Sequence, residues 1–268
     1  MRDLNHLSEI FHSYDTYIID LWGVMHDGIS LNSKAIEVVE NLSANSKKIV
    51  FLSNAPRPSF KVVEFLKRLK MSEKFLSQII TSGEAAMHAI NENKFGNNFY
   101  HLGPPRDQSL FEKVIKNKTS LDKCDFIVCT GLFDNQEDDL NYYKELLKGH
   151  VSKKLICTNP DLIVHRGDIE ELCAGSIAKT FELLGGEVIY YGKPYKEIYK
   201  MCFNKGEKVL AIGDNLRTDI KGANNLNIDS LFVYNGVHRN EIKNKEDLPA
   251  LLKRYNVITN FFQKELKW

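Results

Sequence analysis

No apolar run in this chain approaches the roughly 20 residues that a membrane-spanning helix needs. Charge of one sign is also missing. Lys and Arg number 36 against 35 Asp and Glu, so no global field draws the chain to nucleic acid or to a membrane surface. Cysteine is sparse and scattered at Cys124, Cys129, Cys157, Cys173 and Cys202. None forms a C-x-x-C pair, which leaves neither a zinc nor a dithiol redox motif and reads as five reduced, buried small hydrophobes. The N-terminus, MRDLNHLSEIFHSYDTY, lacks the apolar stretch and small-residue cleavage site of a signal peptide, so a cytoplasmic location is expected. Repeats and low-complexity segments are absent too. What remains is an ordinary globular composition, 43% hydrophobic and 26% charged over 268 residues, enough for one large or two modest domains.

Strand-like and helix-like runs alternate along the whole length, the pattern of an α/β fold with parallel sheets. YIIDLW, KIVFLSNA, QIITSG, EVIYYG, KVLAIGD and DSLFVYN are apolar runs bounded by Gly, Asn or Ser. Between them AIEVVENL and FKVVEFLKRL carry apolar residues at helical spacing, with Val62, Val63, Leu66 and Leu69 on one face. A second α/β set occupies residues 86–187, with strands in NNFYHLG, DFIVCTGL and KLICTNP and helices near DDLNYYKELL and CAGSIAKTFELL. FDNQEDD, 133–139, is expected as a solvated loop, and the terminal NFFQKELKW as a packed helix or tail.

Four segments carry chemistry. YIIDLWGVMHDG, 17–28, ends an apolar run in one carboxylate, Asp20, followed by a Gly-containing loop. Ligands bind at that edge of an α/β sheet, so such a carboxylate is poised for reaction. FLSNAP, 51–56, puts Ser53 and Asn54 after another apolar run, where short polar groups can meet phosphoryl oxygens. YGKPYKEIY, 191–199, offers Lys193 after Gly192, and VLAIGDNLRTDIKGANN, 209–225, offers Asp214 and Asp219.

In this order and spacing, the four segments resemble the haloacid dehalogenase (HAD) superfamily of Asp-nucleophile hydrolases, and more closely its class IIA branch, the p-nitrophenyl-phosphatase-like enzymes. The resemblance implies a Rossmann-like, doubly wound parallel-sheet core interrupted by a smaller α/β cap. The core would span 1–85 and 188–268 and the cap 86–187, with hinges near 84–88 and 185–192. It implies a phosphatase acting on a small organic phosphate, a sugar phosphate or nucleotide-like ester, through an aspartyl-phosphate on Asp20. Mg²⁺ would be held by Asp20, Asp214, Asp219 and the backbone carbonyl of Trp22, hard oxygen ligands suited to that ion. Ser53, Asn54 and Lys193 would hold the phosphoryl group. The cap segment TNPDLIVHRGDIEELCAG, 158–175, would bring Asn159, Asp161, His165 and Arg166 to the substrate. Nucleic acid and membranes are not expected partners, and a homodimer is compatible with the resemblance.

One position departs from the family. Its first motif reads Asp-x-Asp, and Trp22 stands where the second Asp belongs. That Asp protonates the leaving oxygen and then deprotonates the attacking water, work that is typically worth ~10²–10⁴ in rate. Trp has one N–H donor and no titratable group. His26 is therefore taken as the replacement acid/base, ahead of its neighbour Asp27, because imidazole titrates near neutrality. Slow turnover is the corresponding expectation. Two alternatives follow: a non-catalytic phosphate-ligand-binding protein, and a carbon–halogen dehalogenase.

Overall fold

The alternating runs fold into two parallel sheets in the computed structural model, which describes residues 1–268. The first stretch supplies β1 (Arg2–Asp3), β2 (Thr16–Ile19), α1 (Ser33–Ala44), β3 (Lys48–Ser53), α2 (Ser59–Arg68) and β4 (Ile79–Thr81). The middle stretch supplies α3 (Ser82–Asn91), β5 (Phe99–Leu102), β6 (Phe126–Cys129), α4 (Leu140–Leu147), β7 (Lys154–Cys157), β8 (Ile163–Arg166), β9 (Ile169–Leu172), α5 (Ala174–Leu183) and β10 (Glu187–Tyr190). The chain then adds α6 (Lys196–Tyr199), β11 (Val209–Gly213), α7 (Lys221–Leu226), β12 (Asp229–Val233), α8 (Leu248–Tyr255) and β13 (Phe261–Gln263).

The core sheet runs β1-β13-β12-β11-β2-β3-β4, with every neighbouring pair parallel. Chain order reverses direction between β2 and β11, a topological switch point. Their register sets Ile19 beside Ile212, so Asp20 and Asp214 emerge from adjacent strands. Both strands are buried along their length, as a parallel sheet covered on both faces requires. Side chains alternate between those faces. Tyr17, Ile19, Phe51 and Ile212 pack toward Val38, Val39 and Leu42 of α1, while Ile18, Val50 and Leu52 pack toward Ile198 and Tyr199 of α6. Helix α1 starts where Asn32 accepts from the N–H groups of Lys34 and Ala35, at 3.1 and 3.4 Å, which satisfies two otherwise orphaned donors.

The cap sheet runs β10-β7-β6-β5, again all parallel. One face buries Ile127, Leu155 and Cys157 against Ile177 and Phe181 of α5. The other buries Phe99, Phe126 and Ile156 against Ala86, Met87 and Ile90 of α3. Helix α3 packs on the cap from its first turns, and β10 pairs with β7 through Tyr190, so residues 188–190 belong to the cap sheet.

One local expectation is corrected. The terminal NFFQKELKW segment contributes a strand, β13, paired with β12 and β1 rather than a helix. The stretch after Asp161 is an antiparallel hairpin, β8–β9. The five cysteines are all buried and unpaired, as expected, and no helix is long and apolar enough to cross a membrane.

Candidate active site

Asp20, Ser53 and Asp214 stand at the C-terminal ends of β2, β3 and β11, with Asp219 one turn further on. Asn215 caps that turn, its side chain accepting from the Arg217 N–H at 2.9 Å. Residues Leu216–Ile220 form a π-helical turn, a geometry frequent at functional sites. It turns Asp219 back so that one carboxylate oxygen accepts from the Asn215 N–H at 3.1 Å. Carboxylate oxygens of Asp20, Asp214 and Asp219 all lie within 4.8 Å of one another, and all three residues are buried.

Lys193 enters this cluster from the return crossing between cap and core. Its Nζ donates to Asp20 at 2.5 Å and to Asp219 at 2.7 Å. Asn54, expected on phosphoryl oxygens, is committed elsewhere. Its Oδ1 accepts from the Lys193 N–H at 2.8 Å and its Nδ2 donates to the Lys193 carbonyl at 3.2 Å, so the amide orients the lysine. The Ser53 hydroxyl oxygen accepts from the Ala55 N–H at 3.2 Å.

Three carboxylates face one ammonium here. Burial, opposed by Lys193 and reinforced by Asp219, pushes the Asp20 carboxyl up to about 7. Burial and the neighbouring Asp20 and Asp219 charges push Asp214 well above the usual range. Burial works against the Lys193 ammonium, but the Asp20 and Asp219 carboxylates outweigh it and hold its pKa high. A buried excess of negative charge on oxygen donors fits a hard divalent cation such as Mg²⁺. The backbone is shaped around the same point. Gly23 adopts φ +88°, and a Cβ there would come within 2.0 Å of an Asp214 oxygen, so glycine alone is tolerated.

The remaining candidates divide between cavity and scaffold. Asp161 reaches from the cap, accepts from Asn215 Nδ2 at 3.0 Å, and is pushed up to about 6 chiefly by burial. Asn159 accepts from the Asp161 N–H at 3.0 Å, which shapes the turn. Arg166 is held by Glu171 at 2.7 Å and lies 5.1 Å from the centroid of the Trp22 ring, so it offers no unengaged charge for a second anion. The His165 carbonyl accepts from the Trp22 indole at 2.8 Å. His26 is buried beside Trp22 and Phe65. Its Nδ1 accepts from the Gly28 N–H at 3.1 Å, and burial pushes its pKa down to about 4. Asp27 accepts from the N–H groups of Ile29 and Ser30 at 2.9 and 2.7 Å, an ordinary turn contact.

Sequence patterning does not single out the Gly236–Arg239 segment, which follows β12. There the Val237 N–H donates to Asp214 at 2.6 Å, and His238 Nε2 accepts from the Leu216 N–H at 3.1 Å. The available signal is a polar NGVHRN stretch after a buried strand, at the edge where the other candidates gather. The whole arrangement opens on a cavity of about 810 Å³ between the strand ends of core and cap.

Residues 17–114 match the model of the haloacid dehalogenase-like hydrolases, and residues 190–255 match a second HAD-hydrolase-like model. A haloacid dehalogenase-like hydrolase from Brucella suis 1330 superposes with a TM-score of 0.86 at 27% identity, covering 99% of this chain and 100% of that one. A 4-nitrophenylphosphatase from Thermotoga maritima gives a TM-score of 0.70 at 25% identity, covering 96% of both chains. Among curated proteins, the acid sugar phosphatase of Staphylococcus haemolyticus is 25% identical across 94% of this chain and 98% of its own. The chain belongs to the haloacid dehalogenase superfamily of hydrolases. Within it, the chain falls in class IIA, a branch of phosphoric monoester hydrolases with an α/β cap.

Proposed function

We propose that the chain hydrolyses a small organic phosphate monoester, a sugar phosphate or nucleotide-like ester, with Mg²⁺, through an aspartyl-phosphate on Asp20. The observation that carries this reading is the cluster of Asp20, Asp214 and Asp219 within 4.8 Å, bridged by Lys193. An Asp20 oxygen attacks phosphorus and the P–O bond to the leaving group breaks; water then cleaves the acyl phosphate. Asp20, Asp214 and Asp219, with the Trp22 carbonyl, would hold Mg²⁺, which would supply the positive charge that lets a carboxylate approach a phosphate dianion. The Lys193 ammonium, fixed on Asp20, offsets part of the same charge. Ser53 lines the phosphoryl side of the cavity and Asn54 holds Lys193 toward it.

Proton transfer is the weak part of the site. Trp22 cannot titrate, and His26 is held neutral down to about pH 4. Asp161, pushed up to about 6 at the cavity wall, is the cap carboxyl best suited to exchange a proton with the leaving oxygen. Slow turnover is part of the proposal. So is a cytoplasmic setting, which suits five unpaired buried cysteines.

A binding protein without turnover is the second reading, favoured by the absence of a titratable side chain at position 22. Displacement at a carbon–halogen bond needs no divalent cation, and the three-carboxylate cluster counts against it. Phosphate release from a panel of sugar phosphates, nucleotides and 4-nitrophenyl phosphate, with and without Mg²⁺, tests the proposal. Mg²⁺-dependent release supports it. Saturable binding of the same compounds without release supports the binding reading instead.

A further inference from the structure

The residue that departs from Asp-x-Asp is also a direct tie between core and cap. Trp22 donates its only polar hydrogen to the His165 carbonyl on β8, at 2.8 Å. Its ring lies parallel to Phe65 of α2, at a 5° interplanar angle and 6.5 Å between centroids, and the Arg166 guanidinium sits 5.1 Å from its centroid. Gly28, at φ +87°, closes the loop against the indole, where a Cβ would come within 2.5 Å of Cζ2.

The hairpin that Trp22 touches is held to the core by a short set of contacts. A two-stranded hairpin is marginal on its own, and β9 is largely exposed, with Ile169 at 67%. Core residues Asp27, Arg239 and Asn240 meet the hairpin too, Asn240 Nδ2 lying 3.4 Å from His165 Nε2 and Arg239 3.6 Å from Asp168. The Gly167 N–H donates to the Asp27 carbonyl at 3.1 Å, and Arg239 Nη2 donates to the Gly167 carbonyl at 2.6 Å. The hairpin follows directly on Asp161, so what fixes the hairpin also fixes the approach of that carboxyl.

We propose that Trp22 is a positioning residue that holds the β8–β9 hairpin closed over Asp20. The position that gives its relatives a proton-transfer group here gives a tie to the cap. The kinetic consequence rests on the phosphatase reading; the tie itself does not.

Trp22→Phe tests this, because it keeps a ring against Phe65 and removes the N–H. Hydrogen exchange of residues 163–172 should quicken roughly 3- to 10-fold, the range expected for one net hydrogen bond. Exchange in β2 and β11 and the urea midpoint should move by no more than that same factor implies. With 4-nitrophenyl phosphate, KM should rise by a larger factor than kcat falls, since the cap is loosened while Asp20 and Lys193 are untouched. Wild-type hairpin exchange in Trp22→Phe overturns the proposal. Should Trp22→Phe lower the urea midpoint by more than that, Arg239→Met decides, because it loosens the same hairpin from the other side. Faster exchange at 163–172 in that variant supports a hairpin held by its core contacts, and no change there overturns it. A wild-type chain that releases no phosphate defeats the phosphatase reading and leaves the exchange result decisive for Trp22.

Discussion

Core and cap are built alike, each a parallel sheet flanked by helices with its strand ends on the shared cavity, yet only the core edge concentrates charge. Asp20, Asp214, Asp219 and Lys193 are buried together there. The cap side offers Thr130, Asn159 and Asp161, the carboxyl that meets the core at Asn215; its buried Asp107 is paired with Arg57 at 2.7 Å, and His101 and Thr130 make a neutral contact at 2.9 Å. Similar architecture therefore says little about chemistry, which lies in particular side chains at particular strand ends. The core edge acts as a preorganised charged floor. The cap edge acts as a roof that shapes access and brings Asp161 against the floor.

Lys193→Met should break this contrast most strongly. It strands Asp20 and Asp219 without their shared cation, and removing one partner of a buried ion pair costs about 3–5 kcal/mol. Urea unfolding without metal should show the loss at pH 8, and saturating Mg²⁺ should restore part of it. A wild-type midpoint at pH 8 would mean that the lysine does not hold the floor together.

The second effect is a pH dependence of the metal-free protein. The Asp20 carboxyl sits near 7 in the fold against an ordinary 3.8, and Asp214 is raised as well. The native state thus binds more protons than the unfolded chain across that interval, so stability falls as pH rises from about 4 to 7. Thermal unfolding in chelator should give a lower midpoint at pH 8 than at pH 5, with Mg²⁺ raising the midpoint more at pH 8. Equal midpoints in chelator would remove the crowded-carboxylate account.

His26 gives the smallest effect. Its folded pKa of about 4, against 6.5, means that it titrates in the unfolded chain first, so its contribution to stability fades as pH drops from 6.5 toward 4. His26→Asn should therefore leave the pH–rate profile without any lost limb near 6.5. Loss of such a limb would return the acid/base role to the imidazole.

Much of the floor was legible before any coordinates. Asp20 and Asp214 end buried apolar runs, and strand ends at a switch point converge whatever the loops between them do. The roof was not. The β8–β9 hairpin pairs exposed and half-buried, mixed residues such as Glu170 and Glu171, which carry no periodic apolar signal. Strand β13 and the His238 contact depend on pairing across distant parts of the chain, which local pattern does not encode. Trp22 could be recognised as a missing carboxylate, but its partner, a backbone carbonyl in the cap, has no signature in sequence at all. The His26 expectation erred on environment: imidazole chemistry was read correctly, and burial between Trp22 and Phe65 was invisible.

The central claim is that Asp20 becomes phosphorylated. The protein should be mixed with a substrate identified in the panel and Mg²⁺, quenched, treated with hydroxylamine and digested with trypsin. The chain has no Lys or Arg between Arg2 and Lys34, so Asp20 lies in the single fragment Asp3–Lys34. The account predicts a hydroxamate at Asp20 that is absent in Asp20→Asn and absent without substrate. Phosphate release at the wild-type rate from Asp20→Asn, with no modified carboxylate in wild-type Asp3–Lys34, would contradict it.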